Sequence, residues 1–199
     1  MYIEAIIIGV IIGMARNGRL SNFLEVRFKG WYLCFFAFVL FLVPYGLKLT
    51  HIQFDTIQIF PYIAMAICAL IAWMNFQKNG MKIILLGIVL NLIVMGFNDF
   101  LMPIDTIKMT ALGFDSFVES LKNGNVINYI ALEKAVPMSQ YLGKVIALPD
   151  FYPLAKVLSI GDIIVSIGIV WVIQYDMLLA SLKSKGSMLQ FTYNTKMRR

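Results

Sequence analysis

The chain has 199 residues, 60% of them hydrophobic and only 14% charged, with a formal net charge of +6. That composition excludes a disordered chain and a highly charged soluble domain, and it places the sequence in the membrane class. The basic residues sit in loops between apolar blocks and form no basic–aromatic patch, which argues against a nucleic-acid partner and for bilayer topology as the cause of the charge.

The apolar blocks predict an all-α integral membrane protein with five transmembrane helices, taken here in chain order. The first covers residues 2–15, short for a crossing at about 1.5 Å per residue. It carries Glu4 where a leader peptide would be basic and has no small-residue cleavage site, so it reads as a retained helix. In the loop that follows, Leu20, Phe23, Leu24 and Phe28 share one helical face and predict a short helix on the cytoplasmic surface. The second span is 31–47, with Pro44 near its end. The third is 57–76, with Pro61 in the first turn, where a missing N–H is harmless. The fourth is 83–101 and the fifth 160–182, followed by a basic cytoplasmic tail, 183–199.

Between the last two spans, residues 102–157 are too many for a bare connection and predict an extracytoplasmic cap. Phe114, Phe117, Val118 and Leu121 recur at helical spacing and Asn123-Gly124 supplies a stop. Pro103, Pro137, Pro149 and Pro153 punctuate the remainder, and the apolar run Val145-Ile146-Ala147-Leu148 is expected to pack on the bundle.

Orientation follows from the cations. Arg16, Arg19, Arg27 and Lys29 after the first span, Lys78 and Lys82 after the third, and Lys183, Lys185, Lys196, Arg198 and Arg199 in the tail all fall on one side. The positive-inside rule therefore gives N-out and C-in. Tyr2, Tyr45 and Tyr62 then fall at the outer interface and Trp31 and Trp73 at the inner one. The tail is expected to rest on anionic lipid.

Two polar constellations stand out. Ser159 and Asp162 are three residues apart at a helix start, the spacing of a capping box, and the helix dipole favours a carboxylate there. Ser166 lies one turn below on the same face. In the fourth span Gly87, Asn91, Met95 and Asn98 form one stripe, with Asp99 at its end. The plain use of such a stripe is hydrogen bonding between helices. The functional use is a polar site at the outer mouth built from Asn91, Asn98, Asp99, Ser159, Asp162 and Ser166, in which the two acids share a proton or a cation. Gly9 and Gly13 favour close approach of a neighbouring helix, and Glu4 and Asp176 are expected to reach headgroups or nearby lysines.

No cofactor and no metal site is expected. Cys34 and Cys68 lie in apolar spans as small hydrophobes, His51 is isolated, and the methionines lack paired spacing. No nucleophile has a base, and no phosphate-binding loop is present, so the chain is not expected to be an enzyme.

Three segments, Asn98-Asp99-Phe100-Leu101-Met102-Pro103, Tyr141-Leu142-Gly143-Lys144 with Leu148-Pro149, and Ser159-Ile160-Gly161-Asp162, resemble the DUF5317 membrane proteins of bacteria. The resemblance implies a bacterial inner-membrane protein with a short first helix, a basic first loop and an outer segment between the last two helices. It implies no biochemical activity. Where members carry Leu-Gly-Asp, this chain has Leu142-Gly143-Lys144, a base in place of an acid. The expected function is a non-enzymatic membrane component that binds a partner protein, lipid or small ligand at its outer face. The alternative is a small transporter or ion-coupled carrier using Asp162 and the asparagines of the fourth span.

Overall fold

The computed structural model describes residues 1–24, 26–49, 56–148 and 156–196, with residues 24, 49 and 180–196 described by backbone alone. His51, Pro149, Pro153, Arg198 and Arg199 lie outside the described residues, as do the side chains of Lys183, Lys185 and Lys196.

The protein is mostly helical. Helix α1 (Tyr2–Ala15) leads through the short α2 (Leu20–Leu24) to α3 (Tyr32–Leu49), α4 (Ile59–Met74) and α5 (Met81–Gly96). A compact intervening segment follows. It comprises β1 (Met102–Ile104), α6 (Thr106–Ala111), α7 (Asp115–Lys122), β2 (Tyr129–Ala131), a 3-10 turn (Leu132–Lys134), α8 (Ser139–Leu142), β3 (Ile146–Ala147) and β4 (Val157–Leu158). Helix α9 (Ile160–Lys196) completes the described chain. Residues 183–196 of the expected tail are thus helical backbone continuous with α9. Among the described residues one helix, over Ile160–Leu179, is long and apolar enough to cross a membrane, and four shorter apolar helices accompany it.

The five long helices pack as a row, α1–α9–α5–α4–α3, each resting mainly on the next. Glycines set the two closest seams. On α1, Gly9 lies against Ile173 and Gly13 against Met177, so α1 and α9 run parallel. On α5, Gly80 faces Gly168 and Val172 while Gly87 faces Gly161 and Val165, so α5 and α9 run antiparallel. An added Cβ at Gly87 would stand 2.6 Å from the Gly161 carbonyl oxygen, closer than side chains approach. Helix α2 folds onto α9 rather than standing apart: the Arg19 N–H and the Asn22 Nδ2 both donate to the Met177 carbonyl, at 3.2 and 2.9 Å.

Helix α5 stops earlier than its hydropathy predicts. Asn98 Nδ2 donates to the Val94 carbonyl at 2.7 Å, satisfying an acceptor that the helix leaves open, and Asp99 and Phe100 turn to φ 51° and 65°. Phe100 sets its ring against Tyr62 of α4, 4.8 Å between centroids, so its apolar character serves a contact with the neighbouring helix and not a longer α5.

That segment has a core of its own, formed by Ile104, Met109, Val118, Leu121, Ala131 and Val157, with Phe117 and Tyr129 packed against it. The expected amphipathic helix is α7, which buries Val118 and Leu121 and ends before Gly124 at φ 72°. Two features depart from an all-α expectation: β1 pairs in parallel with β2, and β3 in antiparallel with β4. Short strands at these positions give the period-2 signal too few residues to register. The Val145–Leu148 run becomes the β3 side of that hairpin.

This segment lies across the ends of the row. Val94 and Met95 of α5 pack with Met102, Tyr129 and Leu142. At the far end of the row, Asn128 Nδ2 donates to the Tyr45 hydroxyl at 3.2 Å and Lys48 Nζ to the Asn125 carbonyl at 2.6 Å, tying the segment to α3.

Candidate functional site

Chain entry into α9 sets the site. Ser159 is fully buried at the helix start; its Oγ accepts the Asp162 N–H at 2.9 Å, and Asp162 Oδ2 accepts the Ser159 N–H at 3.3 Å. This is the reciprocal capping box that the three-residue spacing predicts. Asn91, facing it from α5, closes a ring: Ser159 Oγ–H donates to Asn91 Oδ1 at 2.8 Å, and Asn91 Nδ2 donates to Asp162 Oδ1 at 3.2 Å. The ring requires glycine at 161, where an added Cβ would collide with Asn91 Oδ1.

Two further groups reach the carboxylate. Tyr2 at the start of α1 donates its hydroxyl to Asp162 Oδ1 at 2.8 Å, and Lys144 Nζ lies 3.3 Å from Oδ2. Asp162, only 6% exposed, therefore has two donors on each oxygen, which exhausts the acceptor sites of a carboxylate. Lys144 also lies over the Tyr129 ring, 5.4 Å from its centroid. Burial disfavours its charge, but Tyr129 and Asp162 outweigh that effect and hold the ammonium pKa above the ordinary lysine value.

The remaining expected residues divide. Asn98 is 4% exposed and clamps the intervening segment: Nδ2 donates to Ser139 Oγ at 2.8 Å and Oδ1 accepts the Val136 N–H at 2.9 Å. Asp99 is exposed and takes no part in the Asp162 cluster, so the two acids do not share a proton or cation. The α5 stripe points Asn91 and Asn98 inward, and the left-handed turn at Asp99 carries its side chain off that face. Ser166 donates to the Asp162 backbone carbonyl at 2.9 Å, an intrahelical bond that leaves the carboxylate untouched. Glu4 meets a lysine as expected, pairing with Lys156. Asp176 is within electrostatic reach of Lys78, but it is 6% exposed and its Oδ2 has no hydrogen-bond partner among the described residues.

Tyr2, Lys144 and Ser139 were not legible as site residues. An acid at a helix start calls for a nearby base, but the outer segment holds several lysines and only the tertiary fold selects Lys144. Asn75 at the opposite end was also missed. Its side chain spans the backbone of Lys29, accepting the N–H and donating to the carbonyl, each at 2.9 Å.

Beside the cluster lies a cavity of about 400 Å³ between the ends of α1 and α9 and the core of the intervening segment. Met109, Phe114, Phe117 and Tyr129 form an apolar and aromatic wall, while Tyr2, Lys144, Lys156 and Asp162 supply a polar end. Its volume lies within the range of small-molecule pockets. Among the described residues no group of three or more His, Cys, Asp or Glu side chains could hold a metal ion.

A family model, the family of unknown function DUF5317, matches residues 25–174. The chain is also similar to an uncharacterized protein of Thermotoga maritima, 27% identical over 177 residues that cover 85% of this chain and 88% of that one. No solved structure matches.

Proposed function

The chain belongs to the DUF5317 family, whose function is unknown, and on that premise we propose a polytopic bacterial inner-membrane protein that holds a small amphiphile at its outer face. The five long helices cross the bilayer N-out and C-in, and the segment between α5 and α9 is an extracytoplasmic cap. Large apolar side chains turned outward support the membrane placement: Ile3 is 73% exposed, Phe35 67% and Trp171 54%. Such surface is costly in water and free of cost against lipid. The parallel course of α1 and α9, with α5 reversed between cap and basic loop, agrees with the orientation drawn from lysine and arginine.

The observation that carries the ligand reading is the cap–bundle cavity, with an aromatic wall facing a polar end. A short chain or ring with one polar group fits that lining, and a lysine at the mouth favours an anionic or hydrogen-bonding head. No enzymatic step is part of the proposal. A carrier is less favoured, because the Asp162 oxygens already hold four donors. The α5–α9 seam below them is also filled by Gly80, Ile84, Gly87, Val165, Gly168 and Val172 in close contact.

Native mass spectrometry of purified protein incubated with octanoate, octanol and octylamine tests the ligand site. The wild type should bind at least one of them and Phe117→Lys should lose it. A wild type that binds none contradicts the reading.

A further inference from the structure

A second groove, about 750 Å³, runs between α1 and α9. Ile8, Ile163, Ile167, Val170 and Trp171 line it, and Leu158 of the cap closes its outer end. Its inner end is polar: Arg16 follows the last turn of α1, and its Nη1 donates to Gln174 Oε1 at 3.2 Å. That bond uses one of five guanidinium donors. From Gln174 to Ile163 the helix rises about 16 Å, about half of a 30 Å hydrocarbon core and so the reach of one acyl chain.

We infer that this groove holds one acyl chain of an anionic phospholipid of the cytoplasmic leaflet, with its phosphate on Arg16 and Gln174. The inference rests on the membrane reading above. Charge complementarity selects the occupant: an exposed arginine at the leaflet boundary suits a phosphate bidentately, and the apolar run above it matches a chain in length and chemistry. At the outer end Glu4 meets both the Met1 ammonium and Lys156, whereas Arg16 at the inner end donates to the neutral Gln174, so the inner end is where the groove offers a cation to an anionic head.

The test uses full-length protein in nanodiscs of equal phosphatidylglycerol and phosphatidylcholine, released for native mass spectrometry with retained lipid counted. Wild type should keep phosphatidylglycerol over phosphatidylcholine by about fivefold. Arg16→Gln should bring the ratio near one, and Ile167→Trp, which fills the groove, should lower total retention with either headgroup. Gln174→Ala, should Arg16→Gln fail to fold, is expected to weaken the preference in the same direction. Equal retention in the wild type, or a preference unchanged in both headgroup variants, overturns the inference. Failure of the wild type to enter nanodiscs would instead count against the membrane reading.

Discussion

Lys144 Nζ and Asp162 Oδ2 lie 3.3 Å apart, and the two residues belong to opposite sides of the cap–bundle boundary. Lys144 precedes the β3–β4 hairpin, and Asp162 sits in the first turn of α9. The pair is shielded, with side chains 21% and 9% exposed, so each charge depends on the other. Removing one partner of a buried pair is more damaging than removing both. Asp162→Asn and Lys144→Met should each lower unfolding free energy by about 3 kcal/mol, and the double variant should lose less than the sum. Denaturant unfolding in detergent provides the cycle; additive losses would mean that the pair is not coupled.

The raised Lys144 pKa fixes a direction in pH. A lysine whose folded pKa exceeds its unfolded value contributes stability that is fully present below the unfolded value, near 10.5. That contribution is lost as pH rises through the folded value. The stability difference between wild type and Lys144→Met should therefore hold constant from neutral pH to about 10 and shrink at higher pH. Thermal melts across that range check it, and a difference that grows with alkalinity would contradict the sign.

Ser159 and Ser166 lie on one helix yet should behave differently. Ser159→Ala removes the cap of α9 and leaves Asn91 Oδ1 without its donor, a loss of about 2 kcal/mol. Ser166→Ala removes only a bond to its own helix and should stay within about 0.5 kcal/mol of wild type. Paired melting curves distinguish the two, and equal effects would remove the capping ring as a stabilising element.

Glycines give a steric comparison. Gly161→Ala drives a Cβ into Asn91 Oδ1 and to 2.6 Å from the Gly87 carbonyl oxygen, so α5 and α9 must separate. At Gly46 in α3 an added Cβ meets nothing within 4 Å, and alanine there should be neutral or stabilising by about 0.5 kcal/mol. Loss of folded protein for the first substitution and not the second is the expected expression result.

Much of this was legible from residue order. The apolar runs mark the long helices, the Ser159/Asp162 spacing marks the capping box, and the Gly87–Asn91–Asn98 stripe marks the face of α5 that meets α9 and the cap. These signals are local: a helix repeats its faces every few residues, and a cap is complete within four. The partners of Asp162 are not local. Tyr2 lies 160 residues away, and Lys144 is one lysine among several in a segment whose β1–β2 pairing is parallel and hence long-range. The exclusion of Asp99 depended on a left-handed turn that hydropathy does not register. Asp176, expected at the interface, is buried where α2 folds back onto α9 beside Met177, a tertiary contact that hydropathy does not register.

An extracytoplasmic cap over the ends of a membrane-embedded helix row is the premise on which the ligand cavity and the lipid groove both depend. Labelling with a membrane-impermeant maleimide tests it in whole cells, after Cys34 and Cys68 are replaced by alanine. A single cysteine at Ser116 on the exposed face of α7 should react in intact spheroplasts, and one at Asn79 in the α4–α5 loop should react only after lysis. Labelling of Asn79→Cys but not Ser116→Cys in intact cells, or recovery of the protein in the soluble fraction, would contradict it.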